Sequence, residues 1–286
     1  MIRIEEYPYT DAQFKQRMQE DIHNLRNVGQ PFCGMEEQEV WRFILGSIDL
    51  TTLEGSDNKA VVANLCQKAI DFRDDKRNVP STAAVCVYPP FVALAKEKLQ
   101  GTDIRVASVA GAFPAGQSPI EIKAAEVRYA VQQGADEIDM VISRGKFLEG
   151  NMQEVFDEIR IIREVCKDVS LKVILETGEL KTPNNIYKAS QLAILAGADF
   201  IKTSTGKIAV NATPEAFVVM MDAIRRCQET TGRKVGIKAA GGISDAETAL
   251  LYVRMLTQIL GKDWLSNRYF RIGASRLANK VCDKML

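Results

Sequence analysis

Short apolar runs recur along the chain after residues 1–40. Each run is rich in β-branched residues, as are strands that are buried on both faces of a parallel sheet. The pattern therefore predicts eight strands. They are Phe43–Leu50, Ala83–Val87, Ile104–Val109, Glu137–Ile142, Leu171–Leu175, Phe200–Thr203, Val235–Lys238 and Phe270–Ala274.

Amphipathic stretches with helical spacing separate these runs. Three stretches begin with residues typical of helix starts: Ser118-Pro119, Thr213-Pro214-Glu215 and Ser244-Asp245. The predicted helices are Asn58–Phe72, Phe91–Gln100, Pro119–Gln133, Met152–Cys166, Asn185–Ala196, Pro214–Glu229 and Asp245–Leu260.

This alternation of strands and helices indicates an α/β fold, and a (β/α)8 TIM barrel typically needs about 250 residues. We therefore predict a single TIM-barrel domain over residues 41–286, with an N-terminal helical extension over residues 1–40. A doubly wound parallel sheet is the alternative, because the alternation alone does not distinguish the two folds.

The charge balance narrows the class of partner. The chain has 286 residues with 37 basic and 37 acidic side chains, so its formal net charge is zero. That balance provides no attraction for nucleic acid or for an anionic membrane, and it favours a small-molecule ligand. No apolar stretch approaches the ~18 residues that span a bilayer, and the N-terminus lacks the features of a signal peptide. Six scattered cysteines without a C-x-x-C pair indicate reduced thiols, so we expect a cytoplasmic protein.

His23 is the only histidine. Zinc sites of lyases and hydrolases commonly use two or three imidazoles, so metal-dependent catalysis of that kind is not expected. A Ser-His-Asp or Cys-His nucleophile would have to use His23, which lies in a polar helical segment far from any nucleophile motif. We expect a surface or capping role for His23.

Several ionisable residues lie inside the predicted strands. Alternation of side chains along a strand places these residues on the interior face of the barrel, mostly near the carboxyl ends where active sites of this fold assemble. Burying them without a function would cost several kcal/mol each unless they were paired. A structural salt-bridge network is the alternative to a catalytic site. The residues concerned are Asp49, Thr51, Cys86, Asp139, Lys172, Lys202 and Lys238.

Lys202 and Lys238 fall on consecutive predicted strands. Two ammonium groups ~6 Å apart repel by about 3 kcal/mol at an effective dielectric of 20, which corresponds to about two pH units in pKa. Desolvation acts in the same direction. One of the two lysines can therefore supply the free amine that attacks a carbonyl, with Asp139 as a proton-transfer partner.

The loops after the last two predicted strands provide a candidate anion site, as in many barrels. Gly241 and Gly242 allow a close approach of the backbone, and Ser275 and Arg276 can add donors. Lys207 and Thr205, after the sixth strand, can do the same. The segment 111–116 forms either part of the mouth or an ordinary turn.

These residues resemble the 2-deoxy-D-ribose 5-phosphate aldolases, class I lyases with a barrel fold. The resemblance covers residues 41 to 280, and the segments FIKTSTGK and LKVILETGEL are its most specific parts. The matching runs are Ile48–Leu53, Val85–Pro89, Glu137–Val141, Leu171–Leu180, Phe200–Lys207, Gly236–Gly242 and Phe270–Ser275.

The resemblance implies a role for each matching position. Lys202 would form the Schiff base, Lys238 would lower its pKa, and Asp139 would be the acid/base residue. Asp49, Thr51 and Cys86 would line the aldehyde side, and the phosphate would be held by Lys207, Gly241, Gly242 and Ser275. The sequence departs from the family pattern at Ala239, where many members have proline, and at Arg276, where many have a second serine.

The implied reaction is the reversible cleavage of 2-deoxy-D-ribose 5-phosphate to D-glyceraldehyde 3-phosphate and acetaldehyde, in deoxyribonucleoside catabolism, with no metal or organic cofactor. Two alternatives are a class I barrel aldolase with a different sugar phosphate or donor, and a non-catalytic barrel that binds a phosphorylated metabolite. The sequence leaves open the oligomeric state, for which we consider a homodimer, and the role of residues 1–40.

Overall fold

Eight parallel strands close into a barrel in the computed structural model, which describes residues 2–27 and 34–285. Each strand pairs with the next, and β1 also pairs with β8, with Asp49 opposite Gly273. This closure confirms the predicted barrel and excludes the doubly wound sheet. The strands are β1 (Ile48–Thr51), β2 (Ala84–Val87), β3 (Arg105–Ala110), β4 (Glu137–Val141), β5 (Ser170–Ile174), β6 (Phe200–Lys202), β7 (Gly236–Ala240) and β8 (Phe270–Ala274).

Helices surround the barrel and bury one face against it. Several begin at the predicted residues: Thr213 accepts a hydrogen bond from the Ala216 amide (3.2 Å), and Asp245 accepts one from the Thr248 amide (2.8 Å). The helices are α1 (Asp11–Asn27), α2 (Glu37–Leu45), α3 (Lys59–Asp71), α4 (Val92–Lys98), α5 (Ile120–Gln132), α6 (Arg144–Leu148), α7 (Met152–Cys166), α8 (Thr177–Leu180), α9 (Pro183–Leu195), α10 (Pro214–Thr231), α11 (Ala246–Leu260) and α12 (Leu277–Cys282). None of these helices has the length and apolar content needed to cross a lipid bilayer.

The first predicted strand, Phe43–Leu50, is half wrong. Its first part is the last turn of α2, and β1 begins only at Ile48. A reciprocal capping box between Glu36 and Glu39 starts the helix. A short apolar run does not by itself distinguish a strand from the buried face of a helix. The buried residues of α2 follow helical spacing: Val40, Trp41, Ile44 and Leu45.

Side chains along each strand point alternately outward, to the helices, and inward, to the interior of the barrel. Side chains such as Ile48, Val85 and Ile237 point outward into the large apolar core between sheet and helices. The opposite faces point into the barrel, and the Phe200 ring is buried at the start of β6. A Cβ on Gly236 would lie only 2.4 Å from that ring, so glycine is required for the close approach.

The described part of the N-terminal extension packs on α9 and α10. The Tyr7 hydroxyl donates to Asp222 Oδ2 (2.7 Å), and Arg17 forms an ion pair with the same carboxylate (2.6 Å). Tyr7, Phe14 and Met18 are buried in the same core as the barrel helices. The boundary at residue 40 stays a prediction. The side chain of His23 lies outside the described residues, so its role is also still a prediction.

We predict that Tyr7→Phe lowers the free energy of unfolding by about 1 kcal/mol, because it removes one buried hydrogen bond and keeps the ring. Urea denaturation measures the change. Tyr9→Phe is the matched control, because Tyr9 is 37% exposed, and it should leave stability unchanged. Equal effects of the two substitutions would contradict an anchoring role for Tyr7.

Candidate active site

A cleft of about 690 Å³ opens at the carboxyl ends of the strands, with Lys202 among its lining residues. Active sites of this fold form at that end, because the loops after the strands meet there. Lys202 is only 2% exposed. The loop residues that line the cleft are Thr51–Glu54, Thr205–Lys207, Ala240–Ser244 and Gly273–Arg276.

A network of ion pairs fills the barrel beneath this cleft. Within the described chain, seven charged side chains of the network are at most 2% exposed. Five of them were predicted to face inward, whereas Glu137 and Arg271 were missed. Arg271 bonds Asp49 (2.6 Å) and Glu137 (2.7 Å) at the lower end of the network. The seven residues are Asp49, Glu137, Asp139, Lys172, Lys202, Lys238 and Arg271.

Asp139 is the centre of the network. Its Oδ2 accepts hydrogen bonds from Lys202 Nζ and Lys238 Nζ, each at 2.8 Å, and its Oδ1 accepts one from Lys172 Nζ at 2.7 Å. Burial alone would raise the pKa of Asp139, but the three lysines together hold that pKa well below its ordinary value. Asp139 is therefore an ionised proton acceptor at neutral pH.

The three lysines do not have equal environments. Burial lowers the pKa of Lys202, and the neighbouring Lys238 lowers it further, while Asp139 opposes both effects only in part. Burial also acts to lower the pKa of Lys238, but Asp139 and Asp49 raise it above the ordinary value. The pKa of Lys172 is raised as well, by Asp139 and Glu137 against the effect of burial. Lys202 is thus the network lysine that loses its proton most readily.

The charge count explains this difference. Four cations face three carboxylates when every group in the network is ionised. An unbalanced charge in a water-excluded interior is costly, so release of one proton is favoured. Lys202 pairs with one carboxylate, whereas Lys238 pairs with both Asp49 and Asp139. The salt-bridge network considered as an alternative is therefore present, and it favours a free amine at Lys202.

The three residues expected on the aldehyde side occupy three different places. Cys86 lies in a small apolar cluster with Leu53 inside the barrel, with Phe113 against it, and burial raises the pKa of its thiol. Thr51 lines the cleft and donates to the Asp49 carbonyl (2.7 Å). Asp49 is not among the lining residues of the cleft in the described chain, because its carboxylate is held below by Lys238 and Arg271.

The segment 111–116 lies against this apolar cluster. Its Phe113 ring is 6.0 Å from the Tyr88 ring, in an edge-to-face arrangement. Gly111, Ala112 and Gly116 have positive φ angles, and the Ala112 amide donates to Glu126 Oε2 (2.8 Å). Since Leu53 of the same cluster lines the cleft, the segment borders the mouth.

The predicted anion-binding residues also line the cleft. Gly241 and Gly242 have φ angles of 80° and 81°, in the left-handed region that favours glycine. Ser275 and Arg276 are exposed on the rim. Lys207 also lines the cleft, where its Nζ donates to Glu54 Oε1 (2.9 Å).

Thr205 does not have the role that was considered for it. Its hydroxyl donates to Glu176 Oε2 (2.5 Å) and its amide donates to Glu176 Oε1 (3.2 Å), so neither donor is available to an anion. Glu176 was missed in the sequence because nothing in the segment LKVILETGEL distinguishes a buried loop acceptor from a surface carboxylate.

A closed parallel barrel with a buried lysine of lowered pKa in its cleft suits an enzyme that uses a lysine as its nucleophile. Comparison with known proteins agrees with that class, since the sequence model of the family described as DeoC/LacD family aldolase matches residues 43–275. The chain therefore belongs to the DeoC/LacD aldolase family.

Named relatives agree with this membership. The human deoxyribose-phosphate aldolase is 47% identical over 244 residues, which cover 82% of this chain and 77% of the human one. The Mus musculus deoxyribose-phosphate aldolase is 47% identical over 246 residues, with coverages of 82% and 77%. The solved structure of the Aeropyrum pernix deoxyribose phosphate aldolase shares the fold with a TM-score of 0.70 and 24% identity, covering 92% of this chain and 96% of that one.

We predict that Lys238→Met shifts the reactivity of Lys202 to higher pH by about one to two units. Lys202 reacts as the neutral amine, so its reactivity rises with pH through its pKa. Removal of Lys238 deletes a repulsion and leaves Asp139 with fewer competing cations, and both changes raise that pKa. The measurement is the pH dependence of borohydride trapping with acetaldehyde.

The control for this experiment is Lys284→Met, which removes an ammonium paired with Glu247 outside the barrel. Its pH profile should match that of the unmodified protein. An unchanged profile in Lys238→Met would refute the electrostatic role of Lys238.

Proposed function

We propose that this chain reversibly cleaves 2-deoxy-D-ribose 5-phosphate to D-glyceraldehyde 3-phosphate and acetaldehyde, with Lys202 as the Schiff-base lysine. The observation that carries the proposal is the position of Lys202: it lines the cleft, its pKa is lowered, and its amine lies 2.8 Å from Asp139. The names of the human and mouse relatives support the choice of substrate.

The first step is attack of the neutral Lys202 amine on C1 of the open-chain sugar. The resulting carbinolamine loses water and gives a protonated imine, whose positive charge makes it an electron sink next to the C2–C3 bond. Lys238 stays protonated because Asp139 and Asp49 both stabilise its charge. It therefore keeps the amine of Lys202 neutral before the attack without competing as a nucleophile.

Bond cleavage follows from removal of the proton of the C3 hydroxyl. Asp139 is ionised and can accept that proton, and it acts through a water molecule because both of its oxygens are engaged by lysines. The C2–C3 bond then breaks, D-glyceraldehyde 3-phosphate leaves, and an enamine of acetaldehyde stays on Lys202. Protonation at C2 and hydrolysis of the imine release acetaldehyde and the free lysine.

The phosphate end of the substrate is assigned to the loops after β6, β7 and β8 that line the cleft. Lys207 supplies a cation, the backbone at Gly241 and Gly242 supplies N–H groups, and Ser275 supplies a hydroxyl. Arg276 lies on the same rim, and no hydrogen bond or ion pair joins its guanidinium to any other residue of 2–27 or 34–285, so the guanidinium is available to the same anion. The two glycines support this assignment, because their positive φ angles favour glycine and a glycine has no side chain at the point where the phosphate would approach.

A cytoplasmic location and a homodimer stay predictions from the sequence. The archaeal relative is described as tetrameric, so assemblies other than a dimer occur among proteins of this fold. Sedimentation of the purified chain distinguishes these states.

The direct test is borohydride reduction in the presence of 2-deoxy-D-ribose 5-phosphate, followed by peptide mass spectrometry. We expect a stable adduct on Lys202 and none on Lys238, because Lys202 is the neutral amine. The same trapping with acetaldehyde should succeed, and trapping with dihydroxyacetone phosphate should fail. An adduct on another lysine, or loss of activity in EDTA, would contradict the mechanism.

A second prediction concerns the ion pair between Lys207 and Glu54. An incoming phosphate competes with Glu54 for the same ammonium, so Glu54→Gln should lower KM for the phosphorylated sugar. The pair is partly exposed, so we expect a change of only about threefold. Glu247→Gln, which breaks an exposed pair with Lys284, is the control and should leave KM unchanged. A higher KM in Glu54→Gln would show that Glu54 binds the substrate instead.

A further inference from the structure

We propose that Glu176 is a positioning residue for the phosphate grip, because it holds the loop after β6 in the shape that presents Lys207 to the cleft. The proposal deepens the function proposed above and rests on it. Glu176 touches none of the proposed reacting groups, and it acts through Thr205.

Three hydrogen bonds connect Glu176 to Lys207. The two carboxylate oxygens of Glu176 accept from the amide (3.2 Å) and the hydroxyl (2.5 Å) of Thr205, and the same hydroxyl accepts from the Lys207 amide (3.1 Å). A hydroxyl has one proton to donate. Since the Thr205 hydroxyl donates its proton in the hydrogen bond to Glu176, its lone pairs are directed to the Lys207 amide. The turn through Gly206 is therefore held by hydrogen bonds at Thr205 and at Lys207.

Both the burial of Glu176 and its backbone conformation are energetically unfavourable for a glutamate. This indicates that its carboxylate has a role at this position. The side chain is fully buried. Its backbone has φ 58° and ψ 60°, a left-handed conformation that is uncommon for residues other than glycine. Although Glu176 is the residue before α8, its side chain makes no capping bond to that helix. The bonds to Thr205, with Arg144 at 3.5 Å, are the interactions that favour this placement.

The loop that Glu176 holds also packs closely on α8. A Cβ on Gly178 would lie 2.2 Å from the Val210 carbonyl oxygen, so the two segments are in direct backbone contact there. The carboxylate of Glu176 fixes the beginning of the loop and this contact fixes a later part of it. Between the two lies the cleft-lining portion with Lys207.

Lys202 does not depend on the Glu176 carboxylate for its position. The Leu175 amide donates to the Lys202 carbonyl (2.9 Å), and the Thr177 amide donates to the Thr203 carbonyl (2.9 Å). These backbone bonds hold the ends of β5 and β6 together whatever side chain stands at position 176. Loss of the carboxylate should therefore weaken the binding of phosphate and leave the position of Lys202 unchanged.

The chain offers a matched control in Glu179. This residue shares Arg144 with Glu176, through an ion pair of 2.5 Å to Arg144 Nε, and it has no hydrogen bond to Thr205 among the described contacts. Glu179→Gln therefore removes a neighbouring carboxylate from the same guanidinium and leaves the connection to Lys207 intact.

The experiment compares Glu176→Ala, Glu176→Gln and Glu179→Gln with 2-deoxy-D-ribose 5-phosphate and with unphosphorylated 2-deoxy-D-ribose. We expect Glu176→Ala to raise KM for the phosphorylated sugar about tenfold, because a displaced Lys207 would lose its charged contact with the phosphate. Its kcat/KM for the unphosphorylated sugar should change by less than about twofold. Glu176→Gln should recover part of the loss, since its amide oxygen can still accept from Thr205, and Glu179→Gln should have no effect.

Equal losses of kcat/KM on both sugars would overturn the proposal. A rise in KM for the phosphorylated sugar in Glu179→Gln as large as that in Glu176→Ala would also overturn it. Thr205→Val adds a test that does not alter the strained position 176: it should raise KM for the phosphorylated sugar alone, and combining it with Glu176→Ala should add little. Additive effects in the double variant would show that Glu176 does not act through Thr205.

Calorimetric titration with inorganic phosphate separates this proposal from the proposed function. Weaker phosphate binding in Glu176→Ala and in Thr205→Val, but not in Glu179→Gln, supports the positioning role even if the unmodified chain cleaves a different phosphorylated sugar. Unchanged phosphate binding in both variants contradicts it even if deoxyribose 5-phosphate is the substrate.

Discussion

An excess of one buried positive charge is the constraint on which the rest of this barrel depends. Four cations and three carboxylates share an interior that excludes water, and each carboxylate is bonded to at least two of the cations. Removal of a carboxylate would leave a further uncompensated buried charge, which typically costs 3–5 kcal/mol. The balance is restored when one lysine is neutral, and Lys202, with the fewest carboxylate partners, is that lysine. The lowered pKa of Lys202 is thus a consequence of how the interior is filled.

The charge network and the groups proposed to bind the substrate lie in different parts of the barrel. The network occupies the interior below the cleft, where strand register fixes Lys202 beside Lys238. The groups proposed to bind the anion lie on the loops after β6, β7 and β8, where backbone conformation decides which donors face the cleft. Glu176 lies between the two regions, because it follows β5, which carries Lys172 of the network, while its carboxylate accepts hydrogen bonds from Thr205 in the loop that carries Lys207. Chemistry and affinity can therefore vary separately.

Much of this arrangement could be predicted from the sequence, because the two-residue period of a strand decides which side chains face inward. That period placed Asp139, Lys172, Lys202 and Lys238 in the interior, and the resemblance supplied the family. Glu137 and Arg271 have the same parity but stand near the amino ends of β4 and β8, and their pairing across 134 residues depends on closure of the barrel. The error at Phe43 arose because helix and strand can share a short apolar run. The roles of Thr205 and Asp49 could not be predicted, since they depend on which partner takes each hydrogen bond.

The protonation states of the buried lysines test the central claim most directly. Nitrogen-15 NMR of protein labelled at lysine Nζ, with signals assigned by single substitutions, reports the charge of each amine as a function of pH. The charge-balance account predicts that Lys202 titrates below the ~10.4 of an ordinary lysine, while Lys172 and Lys238 stay protonated above it. A Lys202 that keeps its proton beyond that pH, or a Lys238 that loses its proton first, would contradict the account.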